Sequence, residues 1–243
     1  MNNLKKFKKA ALVTGAAQRI GQGIAIALAE RGYDIALHYN QSQEKALDVA
    51  RIIRKKGVLC ELFACDLHNQ EEVLLLLEKV HKKFSHLNLL VNNASIFKPS
   101  GLDRKSLKEL DAHWLVNFRS PFVLTAEFSR LCKKGQIINI LDTKINKNKT
   151  EHVGYLLSKK CLGEFTKMAA VLLAPHIRVN GISPGIILPP SGQGAGYLKK
   201  RAGQIPLLKS GGVAYILQAI NFLIDNEFVT GQIISVDGGE QLT

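Results

Sequence analysis

Ala10-Ala11-Leu12-Val13-Thr14-Gly15-Ala16-Ala17-Gln18-Arg19-Ile20-Gly21 is the stretch from which the rest of the chain is read. Ala10–Thr14 is a short apolar run that predicts a buried strand. A glycine-containing turn follows, and the spacing predicts a helix from about Arg19 to Arg31, ended by Gly32. A strand that passes through small residues into a helix start offers free backbone N–H groups and the positive end of a dipole. Gly15, Ala16, Ala17 and Gly21 leave room for a pyrophosphate to approach that backbone.

The same alternation continues outward. Residues 34–39 read as a second strand, and Ala46, Val49, Ala50 and Ile53 repeat at helical spacing before Gly57, placed as a C-terminal cap. Residues 58–65 form a third strand. Asn69 and Glu72 make a capping box before Val73, Leu76, Leu77 and Val80, and the fourth strand, 87–91, ends in Asn92-Asn93-Ala94. A long helix is expected over about 106–132, restarted or kinked at Pro121. Strand 136–141, helix 153–173 and strand 177–182 come next, and Ser183-Pro184-Gly185 breaks the chain. Residues 186–212 are rich in Gly and Pro and lack a period; helix 213–224 and strand 232–236 close the pattern. Strands alternating with helices predict an α/β fold: a single-domain, doubly wound, Rossmann-type parallel sheet of seven strands with helices on both faces. A length of 243 residues suits one such domain.

Composition narrows the class. With 46% apolar and 22% charged residues the chain is neither disordered, collagenous nor coiled-coil. No apolar run nears the roughly 18 residues of a bilayer span, so no membrane partner is expected. Lys+Arg exceed Asp+Glu by 33 to 20, a net charge of +13. The basic residues form small knots at Lys5–Lys9, Arg54–Lys56, Lys82–Lys83, Lys144–Lys149 and Lys199–Arg201, without the aromatic-interleaved stripe of a nucleic-acid face. A solvated surface that draws in anionic ligands is the simpler account. The four cysteines show no CxxC spacing and predict free thiols in a cytoplasmic protein. Cys60 and Cys65, an odd number of residues apart, are expected on opposite faces of one strand. The histidines show no paired metal-ligand spacing, so no metal is expected. Met1–Ala17 imitates a signal peptide, but its unbroken apolar core, Ala10–Val13, is too short, and cleavage there would remove the phosphate turn.

The end of the second strand, Leu37-His38-Tyr39-Asn40-Gln41-Ser42, carries no acid to hold a ribose 2′-hydroxyl. Arg19 instead lies within the phosphate turn, and His38 and Ser42 are hydrogen-bond donors. A 2′-phosphate is attracted by a guanidinium and repelled by a carboxylate, so the site favours NADPH. Tyr155 and Lys159, four residues apart, share one helix face. An ammonium beside a phenol, whose ordinary pKa is about 10, pulls it toward the range of acid–base catalysis.

Thr14-Gly15-x-x-x-Arg19-x-Gly21, Asn92-Asn93-Ala94, Tyr155-x-x-x-Lys159, Ile177–Gly185 and Gly231…Val236-Asp237-Gly238-Gly239 together resemble the short-chain dehydrogenase/reductase family from Ala10 onward. Two departures narrow the resemblance: Arg19 stands where the family has its middle glycine, and Asp142 where it has its catalytic serine. With His38-Tyr39-Asn40 and Asn93–Phe97, they resemble the pteridine reductase branch, which includes dihydromonapterin reductases and reduces C=N bonds of pterins and folates with NADPH. Gln41 stands where that branch often has arginine, so 2′-phosphate binding leans on Arg19, His38 and Ser42.

The resemblance implies strand order 3-2-1-4-5-6-7, a homotetramer built through the two long helices, and a substrate loop at about 186–212. It gives Tyr155 as proton donor, Lys159 as its tuner and ribose ligand, and Asn117 as organiser of a relay water. Asp142 would orient Tyr155 or share its proton and accept from a substrate amino group. Gly15, Arg19, Ile20, Gly21, His38, Tyr39, Asn40, Ser42, Asp66, Leu67, Asn93, Ala94, Pro184 and Gly185, with Tyr155 and Lys159, would hold NADPH, Asp66 near the adenine. Phe97 would stack on a pterin face, with Ser95 and Arg19 bonding near its edge. Two other functions fit the same fold: a carbonyl reductase such as a 3-oxoacyl-carrier-protein reductase, and a catalytically idle NADPH- or nucleic-acid-binding regulator. Asp142 opposes the first, because a carbonyl oxygen calls for a donor; the intact Tyr155 and Lys159 oppose the second.

Overall fold

A computed structural model describes residues 8–148, 151–190, 192 and 194–243. The basic residues Lys5, Lys6 and Lys149, and positions 191 and 193 of the expected substrate loop, lie outside the described residues.

The strands are β1 (Lys9–Val13), β2 (Tyr33–Tyr39), β3 (Cys60–Ala64), β4 (Leu87–Asn92), β5 (Gly135–Ile140), β6 (Ile177–Pro184) and β7 (Ile233–Val236). They form one parallel sheet in the expected order, β3-β2-β1-β4-β5-β6-β7. The order reverses between β1 and β4, which opens a crevice at the carboxyl ends of the strands.

The side-chain period of two sends alternate residues of each strand to opposite faces. Ala11 and Val13 join α1 (Arg19–Glu30), α2 (Gln43–Arg54) and α8 (Val213–Asp225) in one core. Ala10 and Leu12 face α3 (Gln70–Lys83), α5 (Ser120–Leu131) and α6 (Val153–Leu173), around the fully buried Phe84 and Phe128. Cys60 belongs to the first core and Cys65, just past β3, to the second, and all four thiols are free. No described helix is long and apolar enough to cross a membrane.

The helix expected over 106–132 restarts at Pro121 as expected: a 3-10 turn at Arg104–Ser106, α4 (Leu107–Trp114), a widened π turn at Leu115–Arg119, then α5 with Pro121 in its first turn. Pro121 has no N–H for the ladder, and the Ser120 hydroxyl instead donates to the Leu115 carbonyl at 2.9 Å. Two other local expectations need correction. The capping box at Asn69 is only half formed. Asn69 Oδ1 accepts from Glu71 and Glu72 N–H, but Glu72 Oε2 takes the N–H of Asp66, not that of Asn69. The irregular stretch 186–212 contains a helix, α7 (Ala195–Ala202).

Candidate active site

The crevice is a cleft of about 510 Å³. Every residue assigned a site role from the sequence lines it except Asn117, which lies buried behind its wall.

One end is the phosphate turn. Gly15 has φ +63°, a left-handed conformation that favours glycine. At Gly21 a Cβ would fall 2.2 Å from Gly15 O and 2.5 Å from Asn93 Nδ2, so only glycine fits. No side chain caps the start of α1, which leaves its first-turn N–H groups for a phosphate. The turn is anchored from β4: Thr14 Oγ1 accepts from the N–H groups of Asn93 and Ala94 at 2.9 and 3.0 Å. Asn93 Nδ2 donates to Thr14 O at 2.8 Å, so this side chain braces the turn.

His38 requires a correction. Its Nδ1 accepts the Gly15 N–H at 3.0 Å, which fixes the tautomer with hydrogen on Nε2, and Nε2 donates to Cys65 O at 3.0 Å. Both nitrogens are committed to backbone, so the imidazole has no donor left for a 2′-phosphate. Burial depresses its pKa to about 4 and keeps it neutral. His38 therefore ties the phosphate turn to β2 and to the end of β3. Ser42 makes no side-chain cap bond to α2, and its hydroxyl stays available at the cleft. Asn40 Nδ2 donates to Asp66 Oδ1 at 3.3 Å, joining two expected cofactor residues across the cleft wall.

Arg19 has φ +56°, so the arginine adopts the backbone conformation that glycine would favour. Its guanidinium donates to Pro189 O at 2.9 Å and bridges the start of α1 to the segment after β6. The Lys45 ammonium donates to Oε1 of the cleft residue Gln18 at 2.9 Å. Gly185 packs so tightly that a Cβ there would meet Asp237 Cα at 2.7 Å.

The other end holds the reactive groups. Tyr155 Oη donates to Asp142 Oδ2 at 2.7 Å, and Asp142 Oδ1 accepts the Lys144 N–H at 2.8 Å. Burial, then the charge and hydrogen bond of Asp142, push the Tyr155 phenol well above its ordinary pKa. This reverses the expected tuning by Lys159. The Lys159 ammonium points to Ile140 O at 2.7 Å, and burial lowers it to about 8 against the opposing charge of Asp142. The structure thus pairs the phenol with a carboxylate, and the ammonium with a strand carbonyl.

Asn117 sits in the π turn with its amide fully engaged. Oδ1 accepts from Ile96 N at 2.9 Å, and Nδ2 donates to Ile96 O at 3.0 Å and Ser158 Oγ at 3.2 Å. The side chain therefore clamps the Ser95–Phe97 segment against α6. Ser95 Oγ also donates to Asn117 Oδ1, at 3.2 Å. Phe97 is half-exposed, stacked on His152 at 4.1 Å and edge-on to Tyr155 at 4.7 Å.

Lys144, Tyr197, Arg201 and Glu240 also line the cleft and carry no local sequence signal. Glu240 reaches it because Asp237 accepts from the N–H groups of Gly239 and Gln241 and from the Thr143 hydroxyl, which folds the segment after β7 beneath Asp142.

A doubly wound sheet, a phosphate turn at its switch point and a Tyr–Lys pair at the cleft floor define a dinucleotide-fold oxidoreductase. A family model described as enoyl-(acyl carrier protein) reductase matches residues 15–241, and the chain belongs to the short-chain dehydrogenase/reductase family. It is 34% identical to the 3-oxoacyl-(acyl-carrier-protein) reductase FabG of Staphylococcus aureus, over 96% of this chain and 98% of that relative. In structure it is similar to FolM alternative dihydrofolate reductase 1 from Brucella suis in complex with NADP: TM-score 0.91, 30% identity, 96% and 95% of the two chains covered. The acetoin dehydrogenase YohF from Salmonella typhimurium matches with a TM-score of 0.89 at 26% identity, covering 97% of each chain.

Proposed function

We propose that this protein uses NADPH to reduce a C=N bond in a dihydropterin or dihydrofolate. The observation that carries the reading is the hydrogen bond between Tyr155 and Asp142. A carboxylate at the cleft floor accepts hydrogen bonds, so it complements a substrate edge that donates them, such as the exocyclic amine and ring N–H of a pterin. A ketone oxygen has only lone pairs and would face those of Asp142.

The uncapped start of α1, Gly15 and the close approach at Gly21 fit the pyrophosphate of the cofactor. Arg19 and Ser42 at the cleft mouth fit a 2′-phosphate. When bound, NADPH supplies the hydride that goes to the carbon of the C=N bond. Tyr155, kept protonated by burial and by Asp142, holds the proton due to the nitrogen. Delivery requires the hydroxyl to turn from Asp142 Oδ2 to the substrate, and the phenolate left behind takes its replacement proton from solvent water. Lys159, four residues along the same helix face, orients the ribose, and Asn117 fixes the Phe97 wall through Ile96.

The similarity to FabG favours a second reading, reduction of a 3-oxoacyl thioester. NADPH oxidation measured in parallel with dihydromonapterin, dihydrobiopterin, dihydrofolate and an acetoacetyl thioester separates the two, with NADH as control. Pterin turnover that vanishes in Tyr155→Phe is expected, and Asp142→Ser should lower pterin kcat/KM by about 100-fold, the scale of one lost transition-state hydrogen bond. Turnover of the thioester alone would overturn the proposal.

A further inference from the structure

Two histidines with no part in the proton transfer clasp the peptide group next to Phe97. Lys98 N donates to Nε2 of His113 at 3.1 Å, and Lys98 O accepts from Nδ1 of His152 at 3.0 Å. A peptide N–H only donates, so Nε2 of His113 carries no hydrogen and that ring is neutral. A carbonyl only accepts, so Nδ1 of His152 carries a hydrogen whatever the charge of its ring. The two joints therefore respond differently to acid. Protonation leaves the His152 bond in place, but turns the His113 acceptor into a second donor facing the Lys98 N–H.

His113 lies on α4, completely buried, with its ring edge-on to Tyr155 at 6.1 Å between centroids. A Cβ on Gly154 would stand 3.1 Å from His113 Nδ1, so the imidazole packs into the space that the glycine before Tyr155 leaves open. On one side of Lys98, Asn117 holds both backbone groups of Ile96. On the other, Ser100 O accepts from Val153 N and Ser100 Oγ from Gly154 N, both at 2.9 Å, which ties the segment to the start of α6. The histidine clasp is thus the tie beside Phe97, between anchors that do not depend on it. Burial holds His113 below the usual histidine range. Of the groups around it, Glu109 on its own helix favours the charged form, whereas Lys98 and His152 oppose it. Tyr155 brings no charge, because its phenol stays protonated.

We propose that His113 is a positioning residue for the reduction: as a neutral acceptor it holds Lys98, and so sets the Phe97 wall of the cleft beside Tyr155. The inference rests on the main cleft as the substrate site, and its first kinetic substrate on the pterin reading. A wall contact is made equally in the ground and transition states, so its loss raises KM and leaves kcat in place.

The test compares wild type, His113→Leu and His113→Gln as full chains. KM and kcat for dihydrobiopterin with NADPH are measured from about pH 5 to 8, across the range of a histidine. Deuterium uptake of residues 96–100 is followed by mass spectrometry without substrate. His113→Leu has no acceptor; KM should rise about tenfold, as for one lost hydrogen-bond partner, and exchange in 96–100 should quicken, with kcat and NADPH affinity held. His113→Gln, whose Oε1 can take the same N–H and does not titrate, should restore both readouts near neutral pH. In the wild type KM should climb as pH falls below about 6.5, and the glutamine variant should lack that climb. An unchanged KM in His113→Leu, a glutamine variant as impaired as the leucine one, or an equal acid climb in His113→Gln would overturn the role. If His113→Leu fails to fold, the acid limb of His113→Gln still decides. Turnover of an acetoacetyl thioester alone would refute the pterin reading, and the same KM shifts measured with the thioester would then carry the role of His113.

Discussion

The buried neutral His38 makes a quantitative demand on acid stability. An unfolded histidine titrates near 6.5, whereas the folded His38 resists protonation until about 4. Because the folded pKa is the lower one, the contribution is complete above about 6.5 and is lost as pH falls from there toward 4. At pH 5 the unfolded chain carries a proton that the folded chain refuses, a penalty of about 2 kcal/mol relative to pH 7.5. His38→Asn removes the titration but can keep an acceptor for the Gly15 N–H. At pH 7.5 the variant should be less stable by about 1–3 kcal/mol, because Cys65 O loses its buried donor. Between pH 7.5 and 5 it should lose about 2 kcal/mol less than the wild type, since every other titrating group is common to both. Urea unfolding followed through the single tryptophan, Trp114, measures both differences. If the asparagine variant loses as much stability on acidification as the wild type, the assigned tautomer and burial of His38 are wrong.

Two further substitutions probe the cleft. Gly21→Ala drives a Cβ to within 2.2 Å of Gly15 O, and either the turn moves or the helix shifts; NADPH binding by fluorescence should be lost, with a stability cost above about 4 kcal/mol in urea. Because Lys159 gives up its proton near 8, kcat/KM should fall as pH rises through that value with the slope of a single group. Lys159→Arg keeps its charge there, so any residual activity of that variant should show no such break.

What the sequence determined by itself is local. The periods of two and 3.6 residues located the strands and most helices, and Gly32 and Gly57, both at φ +82°, ended the first two helices where expected. The phosphate turn was legible because its requirements, small side chains between a strand and a helix start, are met by adjacent residues. Tyr155 and Lys159 were legible as a pair because a helix places residues four apart on one face. The periodicity did not show which partner each group takes, and the tie of Asp142 to Tyr155 came only as an implication of the family resemblance. The period gives no sign that Lys159 turns to Ile140 O and the phenol to Asp142, because β5 and α6 meet only in the packed chain. His38 reads as a free donor until the fold brings Gly15 and Cys65 to its two nitrogens. The reactive end of the cleft is the extreme case. Phe97, Lys144, Arg201 and Glu240 come from four segments far apart in sequence, so only the tertiary structure sets their mutual distances and shared solvent exclusion.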